Sequence, residues 1–215
     1  MMIVFRTDAS VAIGTGHVMR CLALSDALCQ IGNPGIAFIC KELPENLLTS
    51  MRLKGFEVFR FAQPAASDWQ SDSLQTIAIL KQIGEKPDWL IIDHYELDKK
   101  WQTAIRPYVR QIMAIDDLAN RPHDCDMLLD QNFYKNFQTR YNGLVPNHCR
   151  KLLGTRYALL RPEFKTLREK IKPRDGSIRR ILIFFGGSDP SNETEKALNA
   201  LRLLNRADIA ADVVV

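Results

Sequence analysis

The sequence IVFRTDASVAIGTGHVMR occupies residues 3–20 and carries the signals for a strand, a loop and a helix in succession. The apolar run Ile3–Phe5 predicts a buried strand, and residues 8–16 predict a glycine-containing turn. His17 begins an apolar-periodic segment that continues to Leu28 and predicts a helix. After a parallel strand, such a turn lets backbone N–H groups approach a ligand, and the helix adds its positive dipole end. The stretch therefore favours an anionic ligand such as a diphosphate.

His17 is the candidate catalytic residue of this stretch. Because it lies at the start of the helix, just after Gly14 and Gly16, its side chain can point into a cleft instead of the core. An imidazole titrates at about pH 6.5 when unperturbed, so it can take a proton from water. The alternative is that the two glycines only make a tight turn and that His17 is an ordinary first-turn residue, since short glycine patterns are common.

Three charged residues flank the loop, and two readings stay open for each. Asp8 either orients His17 or binds a hydroxyl of the ligand, the alternative being a turn-forming aspartate. Arg20 lies one turn after His17 on the same helix face and is positioned to meet an anion. A solvated side chain is the alternative for Arg20 and the expectation for Arg6.

Composition places the chain among globular proteins. With 215 residues, of which 46% are hydrophobic and 25% charged, it is long enough to bury a substantial core. The net charge of +4 comes from 29 basic and 25 acidic residues spread along the chain. This mild excess favours small anionic ligands and gives no indication of nucleic-acid binding.

Cysteine usage and hydropathy predict a cytoplasmic protein. The five cysteines are an odd number and contain no C-x-x-C pair, which is typical of reduced thiols and argues against a zinc site. The amino terminus lacks a basic segment followed by a long apolar one, and no run reaches the roughly 18 apolar residues of a membrane helix. We therefore expect no membrane partner.

Alternating strand and helix signals predict an α/β protein with a parallel, Rossmann-type sheet. Three apolar strands each end in polar side chains, at Asp93–Tyr95, Asp116–Asp117 and Asp130–Asn132. Open α/β sheets place their ligand contacts at this edge. Asp116, Asp117 and His123 resemble a metal cluster at first sight, but adjacent acids after a strand usually serve as caps or loop hydrogen-bond acceptors.

The domain organisation is expected to be one N-terminal domain at residues 1–171, a linker at 172–178, and the incomplete start of a second α/β domain at 179–215. Residues 181–185 predict a strand, Gly186–Asp189 a second glycine loop, and Glu193–Leu204 a helix capped by Ser191 or Asn192. A unit of roughly 40 residues cannot bury a core of its own.

The first block, FRTDASVAIGTGHVMRCLAL at residues 5–24, resembles the UDP-2,4-diacetamido-2,4,6-trideoxy-β-L-altropyranose hydrolases of pseudaminic acid biosynthesis. Four further blocks resemble the same family in the same order: LIIDHYELD (90–98), IDDLANRPHDCDMLLDQN (115–132), LLGTRYALLRPEF (152–164) and ILIFFGGSDPSN (181–192). Five matched blocks along the chain are far more specific than any one of them.

The resemblance implies a two-domain, glycosyltransferase-B-like protein that binds a UDP-sugar between its domains and hydrolyses it. It assigns His17 as the catalytic residue and Tyr95 to the sugar pocket, with no metal and no cofactor. Together with the flanking residues, the expected substrate-binding set is Asp8, Gly14, Gly16, Arg20 and Tyr95. The loop Gly186, Gly187, Ser188 and Asp189 is expected to bind the nucleotide, and the protein is expected to be a monomer.

Two other functions remain open at this stage. A glycosyltransferase-B transferase would use the same glycine–histidine loop to move a sugar onto an acceptor. A truncated, inactive remnant is the second, because most of the implied second domain is absent from the sequence.

Overall fold

The computed structural model describes residues 1–62, 68–171, 173, 175–186 and 189–214. Its strands are β1 (Met2–Thr7), β2 (Gly35–Cys40), β3 (Glu57–Arg60), β4 (Trp89–Asp93), β5 (Gln111–Ile115), β6 (Met127–Asp130), β7 (Arg150–Leu153), β8 (Arg180–Ile183) and β9 (Ala210–Val213). Its helices are α1 (Gly16–Gly32), α2 (Glu45–Leu53), α3 (Trp69–Ile83), α4 (Lys99–Ile105), α5 (Pro162–Lys170) and α6 (Glu193–Leu204).

Strands β1 to β7 form one parallel sheet in the order β3-β2-β1-β4-β5-β6-β7. The chain builds outward from β1 to β3, returns, and then builds in the opposite direction from β4 to β7. The order therefore reverses between β1 and β4, and a crevice opens beyond the carboxyl ends of these two strands, where such sheets bind ligands. The predicted α/β class with a parallel sheet is confirmed.

Alternating side chains of the central strands feed two apolar layers, one on each face of the sheet. Phe5 and Ile91 belong to the layer that includes Val18 of α1, whereas Val4 and Leu90 belong to the layer that includes Trp101 of α4. Period-2 alternation within a strand buried on both faces explains why these strands appear in the sequence as continuous apolar runs. The two layers fix β1 and β4 rigidly, and with them the residues that follow these strands.

Two elements of the sheet domain were not predicted. Helix α4 is only seven residues long and contains little periodicity; Asp98 caps it by accepting hydrogen bonds from the N–H groups of Lys100 and Trp101. Strand β7 is a four-residue edge strand with two polar and two apolar residues. Edge strands need fewer apolar side chains, which removes the usual sequence signal.

Element boundaries differ from the prediction in two further places. The sequence predicts a loop at 64–73 and a helix from Asp72 to Gly84. In the structure α3 begins at Trp69, with the Asp68 carboxylate accepting from the Ser71 N–H; residues 63–67 lie outside the described part. The cap of α6 is neither Ser191 nor the Asn192 side chain. Instead, the Asp189 carboxylate accepts hydrogen bonds from the first N–H groups of that helix.

Strands β8 and β9 pair in a separate two-stranded parallel sheet. This pairing is consistent with a second α/β unit after the expected linker, whose residues 172 and 174 lie outside the described part. The domain boundaries remain a prediction. Among the helices of the described ranges, none has the length and apolar character that crossing a membrane requires.

Candidate functional site

The candidate site lies at the point where the sheet order reverses. His17, in the first turn of α1 after β1, faces Asp93 at the end of β4, although 76 residues separate them in sequence. The pairing of β1 with β4 places Thr7 beside Asp93 and brings the two strand ends together. The sheet topology thus creates a contact that local sequence patterns cannot predict.

The His17 imidazole is oriented by a buried carboxylate. Its Nδ1 atom lies 2.6 Å from Asp93 Oδ1, and the Asp93 side chain is fully buried. Burial raises the pKa of Asp93, but hydrogen bonds from Arg20 and His17 outweigh that effect and hold the pKa of this carboxyl below its usual range. Since Nδ1 contacts Asp93, Nε2 is the ring nitrogen left for a ligand or water.

Arg20 is the second residue that contacts the Asp93 carboxylate. Its Nε donates to Asp93 Oδ2 at 2.5 Å, its Nη2 to Asp93 Oδ1 at 2.6 Å, and its Nη1 to Asp117 Oδ2 at 3.2 Å. The expected anion partner of Arg20 is therefore provided by the protein itself. The alternative of a solvated arginine is wrong, because only 12% of the side chain is exposed.

Tyr95 packs against His17. Its ring contacts the His17 ring edge-on, with the centroids 4.6 Å apart and the planes at 82°. Tyr95 is 43% exposed, so its free face is available to a ligand. Burial and the nearby Asp117 carboxylate raise the pKa of the Tyr95 hydroxyl, which is therefore neutral and able to donate a hydrogen bond at neutral pH.

Asp8 belongs to a different network from His17. Its Oδ1 accepts from Arg6 and from the backbone N–H groups of Lys41 and Glu42, and its Oδ2 lies 3.2 Å from His94 Nε2. Burial raises the pKa of Asp8, whereas His94 and Arg6 lower it, and the net result is a pKa well below the usual range. In the described residues no hydrogen bond joins Asp8 to His17, so of its two predicted roles only hydroxyl binding remains as a proposal.

Arg6 is also buried completely, and its expected solvation is wrong. The guanidinium lies between Asp8 and Asp72, where it satisfies both carboxylates. It stabilises the wall of the site and does not reach a ligand.

A cavity of about 610 Å³ lies beside His17. His17 and Tyr95 lie on one side of it, and Asp8 and His94 form part of its wall. Residues after β2 and at the start of α3 also line it: Lys41, Glu42, Asp68, Trp69 and Asp72. Sequence reasoning missed these residues, because nothing in the local pattern shows that β2 and α3 approach the loop after β1.

The two glycines of the loop differ in what the fold requires of them. Gly14 has a φ of +79° and closes the turn by donating its N–H to the Ser10 carbonyl, 2.7 Å away. Gly16 is the first residue of α1, and its φ is not positive. An added Cβ would meet no atom within 4 Å at either position. The fold therefore needs a glycine at 14 but not at 16.

We expect matched alanine substitutions to separate the two roles. Gly14→Ala should lower the free energy of unfolding by about 1 kcal/mol, since a side chain disfavours positive φ. Gly16→Ala should leave stability unchanged or slightly higher, yet weaken nucleotide-sugar binding if a ligand approaches this backbone. Urea unfolding and titration calorimetry measure the two effects. Equal affinity of Gly16→Ala and the unsubstituted chain would exclude close ligand approach at Gly16.

The second glycine loop is described only in part. Gly186 has a φ of +94°, and Asp189 caps α6 as stated above, whereas Gly187 and Ser188 lie outside the described residues. A nucleotide-binding role for this loop remains a prediction.

Asp116, Asp117 and His123 do not form a metal site in this structure. In the ranges described, no group of three or more histidine, cysteine, aspartate or glutamate side chains has the arrangement to hold an ion. Asp116 Oδ2 instead accepts from the Ala119 N–H and the Tyr141 hydroxyl. His123 is buried, with its Nδ1 2.9 Å from Gln102 Nε2.

His123 is expected to make stability depend on pH. Burial lowers its pKa from 6.5 to about 4. Between these values the unfolded chain binds a proton that the folded chain does not, so stability should decrease as the pH falls from 6.5 towards 4, by about 2–3 kcal/mol. Urea unfolding at pH 7.5 and 4.5 would measure the loss. His123→Gln should show a smaller loss over this range, and an identical loss in both proteins would contradict the assignment to His123.

Comparisons with known proteins agree with the resemblance noted in the sequence. No family model matches the chain. The chain is 31% identical over 194 residues to the UDP-2,4-diacetamido-2,4,6-trideoxy-β-L-altropyranose hydrolase of Campylobacter jejuni, an alignment that covers 89% of this chain and 62% of the hydrolase. It is 28% identical over 218 residues to an uncharacterised protein of Methanocaldococcus jannaschii, covering 100% of this chain and 42% of that protein.

Among solved structures, MurG of Acinetobacter baumannii has a similar fold, with a TM-score of 0.56 and 14% sequence identity. The similarity covers 100% of this chain and 66% of MurG. This chain therefore spans about three fifths of the hydrolase, about two fifths of the archaeal protein and about two thirds of MurG. The predicted glycosyltransferase-B-like fold is confirmed, and so is the resemblance of this chain to the UDP-sugar hydrolase.

Proposed function

We propose that this chain carries the catalytic half of a UDP-sugar hydrolase that converts UDP-2,4-diacetamido-2,4,6-trideoxy-β-L-altropyranose and water to the free sugar and UDP. The observation that supports this most directly is the contact between His17 and the buried Asp93 at the edge of the cavity. The identity of 31% with the Campylobacter hydrolase supports the choice of substrate.

In the proposed reaction, His17 Nε2 takes a proton from a water molecule as the water oxygen attacks the anomeric carbon. The bond between that carbon and the diphosphate oxygen breaks, and UDP leaves with the bonding electrons. General bases of this kind contribute roughly 10²- to 10⁴-fold to a rate. The positive charge gained by His17 is balanced by Asp93, which lies within hydrogen-bond distance.

The remaining predicted residues take supporting roles in this proposal. Asp8 Oδ2 accepts a sugar hydroxyl or amide proton, and the exposed face of Tyr95 packs on the sugar. We assign the diphosphate to the backbone near Gly16, and nucleotide binding to the Gly186–Asp189 loop. We further propose that the protein acts as a cytoplasmic monomer in pseudaminic acid biosynthesis, without nucleic-acid or membrane partners.

The test is UDP release from the UDP-linked diacetamido sugar in heavy-oxygen water. Because the hydrolase is longer than this chain, two proteins are assayed: the chain itself and the chain extended by the remaining part of the Campylobacter hydrolase. We expect UDP release without an added acceptor and no heavy oxygen in the UDP, because cleavage at the anomeric carbon leaves the diphosphate oxygens unlabelled.

Other outcomes would replace the proposal. UDP release that requires an added acceptor would identify a transferase. Heavy oxygen in UDP would mean that water attacks phosphorus. This result would contradict the proposed attack at the anomeric carbon. If the extended protein binds the nucleotide sugar but releases no UDP under either condition, the remnant alternative holds.

A further inference from the structure

Arg20 has little capacity left to bind a substrate anion. Three of its guanidinium nitrogens donate to Asp93 and Asp117, and the side chain is 12% exposed. The contact with Asp93 is bidentate, the strong geometry for an arginine and a carboxylate. An incoming phosphate would have to displace a carboxylate that is fully buried, and this would leave that carboxylate uncompensated.

The same contacts determine which nitrogen of His17 carries the proton. Asp93 is ionised because Arg20 donates to both of its oxygens, and an ionised carboxylate can only accept hydrogen bonds. His17 Nδ1 lies 2.6 Å from Asp93 Oδ1, a distance at which two acceptors without a proton between them would repel. In the neutral imidazole the proton must therefore be on Nδ1, and the lone pair on Nε2.

Arg20 Nη2 offers a competing arrangement. It lies 3.2 Å from His17 Nδ1 and could donate to that atom if Nδ1 carried a lone pair. Its distance to Asp93 Oδ1 is shorter, 2.6 Å, and the acceptor there is charged. Hydrogen bonds to charged groups are the stronger ones, so the arrangement in which both Arg20 and His17 donate to Asp93 prevails.

We propose that Asp93 and Arg20 are positioning residues: Asp93 fixes His17 as the Nδ1–H tautomer, with the Nε2 lone pair available to water, and Arg20 maintains Asp93 in the orientation that does so. Arg20 then acts through Asp93 and is not a ligand of the substrate. The catalytic consequence rests on the proposed function, whereas the tautomer is a property of the protein alone.

The tautomer is measured first, without substrate. Proton–nitrogen NMR correlation spectra of nitrogen-15 histidine-labelled protein at about pH 8.5, above the usual histidine range, distinguish the two neutral forms. The His17 signal is assigned from its loss in His17→Gln. We expect Nδ1–H in the unsubstituted chain, a change towards Nε2–H in Asp93→Asn, and a mixture in Arg20→Gln. His148, whose side chain is 62% exposed, provides an unchanged internal reference in the same spectra.

Either of two NMR results would overturn the proposal: Nε2–H at His17 in the unsubstituted chain, or an unchanged Nδ1–H form in both variants. Arg20→Lys, which keeps the positive charge, serves as the second variant if Arg20→Gln unfolds. The first result is obtained on the unsubstituted chain, so it tests the proposal even if every variant unfolds.

Kinetics on the assay protein that releases UDP then separate positioning from substrate binding. We expect Arg20→Gln and Asp93→Asn to lower kcat at least about tenfold with little change in KM, because the substrate does not contact them. An increase in KM with kcat retained would instead identify Arg20 as an anion ligand. If no protein releases UDP, the proposed function fails, while the NMR result still decides the positioning proposal.

Discussion

Replacing His17 by alanine is expected to lower kcat for UDP release by about 100-fold or more, the usual loss for a removed general base. His17 is 7% exposed and lines the cavity, so its removal eliminates the proposed acceptor of the water proton. The value of KM should change little, because the proposed binding groups, the loop backbone and Asp8, remain. UDP release by the active assay protein, compared with its His17→Ala variant, measures the effect.

Two controls make this result specific. His148→Ala removes an exposed histidine remote from the cavity lining and should leave kcat unchanged. His17→Asn keeps a polar group next to Asp93 but cannot take up a proton at neutral pH, so it should be as slow as His17→Ala. A His17→Asn protein with nearly full activity would show that the imidazole acts as a hydrogen-bond donor and not as a base.

Sequence patterns located the edge of the sheet that carries the site but not the contacts within it. The apolar runs before Asp93 and Asp116 predicted strands with polar residues at their carboxyl ends, and the structure has this arrangement. The order of the strands depends on which of them pair, and periodicity contains no information on pairing. The link between His17 and Asp93 follows from the pairing of β1 with β4, so Asp93 was overlooked as its partner.

A signal for Asp93 was nevertheless present. An ionisable side chain directly after a continuous apolar strand must be paired when it is buried. The only cations near the glycine loop in the sequence are Arg6, His17 and Arg20. These three are candidate partners for Asp93, and the pairing of β1 with β4 selects them over the other cations of the chain.

Buried charges are the part of the fold that the sequence predicted least well. Arg6 follows the apolar run of β1 and was expected in solvent, because arginine is rarely buried unless it is paired. Its partner Asp72 lies in α3, 66 residues away. Asp8 on the same strand end and Asp72 of α3 together keep this arginine inside the protein.

Replacing Arg6 by methionine is expected to lower the free energy of unfolding by about 3–5 kcal/mol at neutral pH, the usual cost of removing one partner from a buried ion pair. Arg6 is fully buried, lies 2.7 Å from Asp8 Oδ1 and 2.5 Å from Asp72 Oδ2, and stacks on the Phe61 ring. Methionine fills much of the same volume, so the loss reports the removal of the positive charge between the two carboxylates. Urea unfolding monitored by circular dichroism measures it.

The pH dependence of this loss distinguishes charge from packing. In the folded protein Arg6 helps to hold the pKa of Asp8 below its usual range, so the stabilisation is present above the unfolded-state pKa of about 3.9 and is lost as the pH falls further. In Arg6→Met, protonation of the buried carboxylates removes the unpaired charge, and the difference from the unsubstituted protein should become smaller as the pH is lowered. The control is Arg110→Met, at an arginine whose side chain is 66% exposed. It should change the free energy of unfolding little, both at neutral pH and at low pH. A loss in Arg6→Met that is constant with pH would mean that Arg6 stabilises the fold through packing and not through its charge.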